Sequence, residues 1–421
     1  MKNWIIVISF GLLLLVGIVF QAYTQEDDTV LFGFNVPLTG AYSDQGADEL
    51  RSAKLAVDEI NNRGGLLGKH IVYSVKDTET NAQVASKNAE ELYGKENAVM
   101  VTGGSSSAVA IAQGAVARRY EKIFMVGLSH SNATTGFGID PATGASTEQK
   151  LNRYIFRWYH NAWMSAHAAA NYLLDKFGRD ATYYYITADY TWGHTTEKSF
   201  RDVLEAAGCK TVGAELSPLG ERSYIEYLLK AKSEKPDVLV LVHFGKDMIN
   251  SLKQATAMGL KKDMKIVVPL IELHMAKGAG PDAIGGVIGT NPWYWELQDK
   301  YSGSKEFVEK FTARYGSPPG DAAAAVWVAI NQYADAVKRT GTFDSKKIIK
   351  ALEGHEFTLL KDKEYWRDWD HQAMTSTLIL EGKNASDMKN EWEVLKVIDE
   401  ISGEQVARTR RDNPVEWKEK F

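Results

Sequence analysis

The chain has 421 residues, 24% of them charged, a formal net charge of −5 and a single cysteine. That length accommodates two domains with sizeable cores. The charge is spread without a lysine or arginine block, which excludes the usual footprint of a nucleic-acid binder, and the lone Cys209 excludes an internal disulfide.

Met1 to about Gln25 has one early lysine (Lys2), an apolar run from Trp4 to Phe20 and a polar exit. This layout predicts a secretory signal peptide over residues 1–25, with Ala22 and Thr24 as small residues for the cut. A retained anchor is the alternative. No cysteine follows the leader, which excludes a lipid anchor of the usual bacterial kind.

Next comes a strand (VLFGFNV from Val30), a small-residue turn (Pro37 to Gly40), a helix from about Ala47 to Asn62, a glycine break (Gly64, Gly65, Gly68) and a strand (IVYSVKD). This is a β-α-β unit with an open, polar first loop, and such sheets carry ligands at the carboxyl ends of their strands. A helix near Asn81–Gly94, a strand at Ala98–Thr102, the run Gly103-Gly104-Ser105-Ser106-Ser107, a helix near Ala108–Tyr120 and a strand IFMVGL follow. Ser129 to Gln149 then forms a polar loop too long for a plain connector. From Tyr154 the alternation restarts and runs through TYYYIT, TVGAEL, DVLVLV and KIVVPL, each followed by a helical stretch. Two such runs predict parallel sheets covered by helices on both faces. After Gly289 the texture changes, with the segment Asn291-Pro292-Trp293-Tyr294-Trp295, three helices and a β-rich tail.

Several loops carry candidate ligand chemistry. The Ser105–Ser107 run follows a strand and opens a helix, where hydroxyls, unpaired N–H groups and the positive end of the helix dipole suit a carboxylate. A serine N-cap with no ligand is the plainer alternative. Ser129, His130 and Ser131 end the next strand on the same rim. Tyr42 to Gln45 lies in the first βα loop. Trp158, Tyr159, His160 and Asn161, and later Asp189, Tyr190 and Trp192, offer aromatic area with polar tips, although core packing is an equally good account of any one of them. His243, Phe244 and Glu272 follow later strand ends. No G-x-S-x-G elbow, phosphate loop or H-E-x-x-H zinc motif is present, and nothing calls for a metal or other cofactor.

The segments PLTGAYSDQGADELRSAKLAVDEINNRGGLLGKHI, VTGGSSSAVAIA, ITADYTWGHTTEKSF and LKQATAMGLKKDMKIVVPL with GAGPDAIGGV, in this order, resemble the periplasmic substrate-binding proteins for branched-chain amino acids that serve ABC importers. The resemblance spans essentially the whole mature chain. It implies an α/β fold of two Rossmann-like lobes with parallel central sheets and a three-strand hinge. Lobe 1 would comprise residues 28–157 plus 291–360, and lobe 2 residues 158–290 plus 361–421. It implies a non-catalytic monomer that closes its cleft on a small carboxylate-bearing ligand and hands it to an inner-membrane ABC permease from the periplasm.

Residue by residue, it implies a carboxylate contact at Ser105, with Ser106 and Ser107 beside it, and contacts at Ser129 (backbone) and Ser131 (hydroxyl). Gln45 stands where the family has an aromatic lid, so Tyr42 would substitute or the lid would be more polar. Trp192 falls at a ligand-stacking position, and Tyr159, Asn161, His243 and Phe244 complete the rim. The acid expected for a ligand ammonium aligns with Leu270, and Glu272 serves only if the loop shifts by two; otherwise the ligand is an acid or amide without an ammonium. Asp370-His371-Gln372 reads as hinge structure. A ligand-sensing module for a membrane receptor, or an exported α/β enzyme, remain the alternatives.

Overall fold

The computed structural model describes residues 28–136, 138–139, 146–147, 152–412, 417, 419 and 421. The leader therefore lies outside the described residues, as does most of the second half of the Ser129–Gln149 loop.

The first sheet has the order His70–Asp77, Thr29–Val36, Met100–Gly103, Ile123–Val126, Ile155–Arg157, and every pairing in it is parallel. The helix Ser43–Asn62 begins a turn earlier than its apolar pattern indicates, because its first turns bury polar side chains: Gln45, Asp48, Glu49 and Ser52 are all buried. The long helix Asp321–Thr340 packs along it, with Ser52 Oγ donating to the Ala323 carbonyl at 2.6 Å. That helix and Ser302–Tyr315 thus return the chain to the first lobe, where Tyr333 meets Phe32 edge-on at 5.5 Å.

The second sheet has seven strands. Lys210–Ser217, Thr182–Ala188, Val238–Val242, Lys265–Leu270 and Ile288–Asn291 pair in parallel, and Thr377–Gly382 and Leu395–Ile401 extend the edge antiparallel. Val238–Val242 is buried at every position, as expected of a central strand covered on both faces. The helix Ala162–Phe177 covers this second sheet although the strand before it belongs to the first.

Three chain crossings join the two bodies: after Arg157, after Asn291, and around residues 367–376. A hydrogen-bonded knot holds them in register. Arg157 Nε donates to Gln372 Oε1 at 2.8 Å, and Gln372 Nε2 donates to the Tyr159 carbonyl at 2.9 Å. Lys361 Nζ donates to the Pro292 carbonyl at 2.8 Å and the Ser376 carbonyl at 3.0 Å, tying the second crossing to the third. His371 stacks on Phe156 with centroids 3.8 Å apart, and its ring nitrogens meet the Ile155 carbonyl and Glu353. The Asp370–Gln372 segment is thus part of the hinge. The chain end returns to the first lobe, where Phe421 lies under the Arg153 guanidinium at 4.5 Å. Cys209 is buried and unpaired, and among the described residues no helix is long and apolar enough to cross a membrane.

Candidate functional site

The seam between the two lobes gathers the carboxyl ends of both sheets. On the first lobe, Gly103 and Gly104 have φ of +126° and +86°, a left-handed turn that glycine adopts freely. A Cβ on Gly104 would press on Phe124 at 3.0 Å, so the turn also needs glycine for space. The turn delivers Ser105, Ser106 and Ser107 to the start of the helix Ser107–Arg119, all of them buried. Ser106 makes no side-chain cap bond. Ser107 Oγ accepts from the Ser131 N–H at 3.2 Å, which locks this turn to the neighbouring strand end. Ser105 is 3% exposed, and its hydroxyl bonds the Glu49 carboxyl, favouring that group's charged form.

Ser129 and Ser131 are engaged within the lobe. Their hydroxyls meet Thr134 Oγ1 at 2.8 and 3.3 Å, and their carbonyls accept from Arg157. Burial pulls the Arg157 guanidinium down to about 9, against the nearby Asp370 charge.

Across the seam, several pairs join one lobe to the other, Asn132 Nδ2 donating to Ser199 Oγ at 3.0 Å among them. The Tyr42 and Tyr190 hydroxyls meet at 2.6 Å, and the Tyr42 ring meets Phe244 edge-on at 5.2 Å. The approach is tight: a Cβ on Gly245 would lie 2.9 Å from both the Ala41 carbonyl and the Tyr42 ring. Gln45 Nε2 donates to Glu272 Oε2 at 3.0 Å. Asp48 Oδ2 lies 3.1 Å from His274 Nε2 and accepts from the Gly320 N–H at 2.7 Å. Trp192 Nε1 donates to His130 Nδ1 at 2.6 Å.

The seam is strongly acidic. Asp48, Glu49, Glu272 and Asp321 are all buried. Burial pushes the Glu49 carboxyl up to about 7, opposed by the Leu128 N–H at 3.1 Å. Burial likewise raises Glu272 and Asp321, each felt by a neighbouring carboxylate. Tyr159 donates its hydroxyl to Asp321. Burial opposes the His274 imidazolium, yet the Glu272 and Asp48 charges outweigh it and push the group up to about 9. Glu272 Oε1 and Asp321 Oδ1 have no hydrogen-bond partner. The arrangement can therefore offer acceptors to a cationic group at one end of the seam and a helix start with its serine hydroxyls to an anionic group at the other.

The structure brings Tyr42, Gln45, Ser105–Ser107, Tyr159, Trp192, Phe244 and Glu272 to or beside this seam. Two sequence candidates are occupied elsewhere. Asn161 caps the helix Ala162–Phe177 by accepting from the Met164 N–H at 3.0 Å. His243 points into the second lobe, with its nitrogens 3.1 Å from Ser217 Oγ and 2.9 Å from Ser251 Oγ. Sequence reasoning passed over Asp48, Glu49, His274 and Asp321. One signal was available: Gln45, Asp48, Glu49 and Ser52 recur at helical spacing on the face that should be apolar. Among the described residues no cluster of His, Cys, Asp and Glu could hold a metal ion.

Two α/β lobes, a three-crossing hinge and a polar seam between strand ends define a cleft-type binding protein for a small solute. The chain belongs to the periplasmic binding protein family, whose model matches residues 29–387, and within it to the type I members allied to branched-chain amino acid ABC systems. It is 25% identical over 344 residues to the Leu/Ile/Val-binding protein homolog 8 of Brucella suis biovar 1 (strain 1330), covering 79% of this chain and 82% of that one. A periplasmic binding protein from Burkholderia mallei superposes with a TM-score of 0.83 at 26% identity, over 92% of this chain and 98% of that chain. An amino acid ABC transporter substrate-binding protein from Pseudomonas fluorescens Pf-5 gives 0.79 at 25% identity, over 89% and 96%. The family is one of binding proteins and not of enzymes.

Proposed function

We propose that this chain is an extracytoplasmic receptor that closes on a small carboxylate-bearing solute, an amino acid first among them, and presents it to an ABC permease. The observation that carries the reading is the serine turn: the buried N-cap Ser106, whose hydroxyl makes no cap bond, opens a 13-residue helix beside Ser105, which bonds the Glu49 carboxyl. Such a turn offers donors, and a ligand carboxylate is the fitting acceptor. The partnerless oxygens of Glu272 and Asp321 suit the ammonium of the same zwitterion, which supports an amino acid over a simple acid or an amide. The names of the Brucella and Pseudomonas relatives point the same way. The lobe boundaries proposed are residues 28–157 plus 291–360 and 158–290 plus 361–421; the two large sheets fall essentially one to each lobe, while the strand Glu356–Phe357 pairs with Glu364–Trp366 across the 360/361 boundary and Phe421 packs on the first lobe.

Hydrogen bonds to a charged group contribute about 1.5–3 kcal/mol each. Two or three cover much of the roughly 8 kcal/mol of micromolar binding. Titration calorimetry against neutral amino acids, aromatic acids and amides tests the reading, after unfolding and refolding to strip any retained solute. Micromolar binding of an amino acid supports it; folded protein silent to the whole panel refutes it. Uptake of the bound solute by membrane vesicles carrying the permease tests delivery.

A further inference from the structure

His130 lies four residues beyond the strand Ile123–Val126, next to Ser131, whose N–H ties this rim to Ser107. Its ring is buried among Tyr159, His160 and Trp192, with centroids 6.1, 4.8 and 6.0 Å away. The Trp192 indole is a donor only, so His130 Nδ1, 2.6 Å from it, must supply the lone pair. Burial, with the Arg157 charge acting in the same direction, holds the imidazole well below its ordinary pKa and therefore neutral. A neutral ring that accepts at Nδ1 carries its one proton on Nε2. That nitrogen is fully buried and has no hydrogen-bond partner. The chain thus retains a neutral, oriented N–H donor with no hydrogen-bonded protein acceptor.

The two residues that make this donor come from different lobes. His130 belongs to the first sheet's rim, and Trp192 opens the helix Thr191–Ala206 of the second lobe. Separating the lobes removes the indole from Nδ1 and leaves the proton free to sit on either nitrogen. Closure fixes it on Nε2.

We propose that His130 is a specificity-determining residue, donating through Nε2–H to an acceptor oxygen of the bound solute, and that Trp192 fixes this tautomer on closure. The inference rests on the cleft-binding reading above and deepens it. A carboxylate, carbonyl or ether oxygen is accepted at this point, and an ammonium or other pure donor is rejected, because a neutral N–H facing it leaves both unpaired.

The test compares wild type, H130F and H130Q by calorimetry with L-leucine and benzoate as probes, together with ¹⁵N spectra of the imidazole nitrogens. H130F keeps the ring's bulk and removes the donor, and its affinity should fall about 10- to 100-fold. H130Q places an amide N–H near the Nε2 position and should recover most of the loss. In wild type, saturation with the binding probe should leave Nδ1 unprotonated and shift the Nε2–H resonance. W192F should leave the histidine as a mixture of tautomers. Wild-type binding with H130F within twofold of it, or an Nε2 signal unmoved at saturation, overturns the inference alone. Where wild type is silent to both probes, the full panel of amino acids, aromatic acids and amides is titrated, and silence there overturns it together with the carboxylate reading. Circular dichroism of each variant confirms that an affinity loss is not unfolding.

Discussion

The His274–Asp48 pair makes stability depend on pH in a direction opposite to the usual buried histidine. The perturbation is H274Q, which keeps a donor near Asp48 and removes the charge. In the folded protein His274 is held at about 9 against an ordinary 6.5. At 1.36 kcal/mol per pH unit, the interval from 6.5 to 9 corresponds to about 3 kcal/mol of stabilisation. The His274 side chain is only 16% exposed and its Asp48 partner fully buried, so solvent screening removes little of this. A raised pKa means that the folded state holds its proton more tightly. The contribution is therefore complete below pH 6.5 and disappears as pH rises through about 9. The groups facing His274 are Asp48, Glu272 and Asp321, and Trp392 closes its other side with centroids 6.3 Å apart. Urea unfolding of ligand-free wild type and H274Q, at constant ionic strength from pH 6 to 10, reads the effect as a difference curve. Groups remote from His274, Arg157 among them, cancel, whereas Glu272, which the imidazolium holds down, shifts further up in H274Q, so the difference curve reads His274 together with its carboxylate partners. Wild type should lose about 3 kcal/mol relative to H274Q across the window. Parallel curves would refute the claim that the Asp48 and Glu272 charges hold this imidazolium.

S105A removes a hydroxyl that bonds the Glu49 carboxyl, so folding stability should fall by about 0.5–1.5 kcal/mol, while affinity for the cognate solute falls about 10- to 100-fold by calorimetry. A Kd within twofold of wild type contradicts the anion role of that turn. Y42F removes the 2.6 Å contact with Tyr190 and should raise the ligand off-rate about 2- to 10-fold in stopped-flow dissociation, the on-rate holding. An unaltered off-rate would mean that this bridge does not hold the closed form. H243A breaks hydrogen bonds to Ser217 and Ser251 and the ring contact with Tyr224, so it should lower the melting temperature and spare affinity. A selective affinity loss in folded H243A would restore His243 to the ligand's surroundings.

How legible these features are in the sequence follows from how far apart their parts lie. The β/α alternation is local: each strand and helix declares itself within a dozen residues, and Val238–Val242 is apolar throughout because both its faces are covered. The serine turn is local as well, since its glycines, hydroxyls and helix start are contiguous. The acidic seam is not. Asp48, Glu272 and Asp321 come from three segments, and only the crossings of the hinge bring them together. Glu272 illustrates the difficulty: alignment puts the expected acid at Leu270, but the pairing of Lys265–Leu270 with Ile288–Asn291 slips between Val268 and Leu270, so counting along the strand does not locate the side chain. His243 errs in the opposite sense. It ends a strand as a ligand residue would, but its direction depends on Ser217 and Ser251, which the strand's own sequence does not contain.

The seam contacts also account for why such a chain needs a ligand to stay shut. Tyr42–Tyr190, Gln45–Glu272, Asp48–His274 and His130–Trp192 are polar pairs that water replaces when the lobes part. A typical intramolecular hydrogen bond is worth about 0.5–1.5 kcal/mol net. Against them stand the cost of keeping Glu49, Glu272 and Asp321 away from water and the unpaired donor at His130. Favourable and unfavourable terms are of the same order, so on the proposed function the empty protein would sit near balance between open and closed. A solute that meets Ser105 on one lobe and Glu272 on the other satisfies those groups only in the closed form. A shift from 1:99 to 99:1 needs about 5.5 kcal/mol of differential binding. Two or three charge-assisted hydrogen bonds made only on closure supply that amount. On the proposed function, the buried polar atoms of the seam would thus be the means by which binding becomes closure.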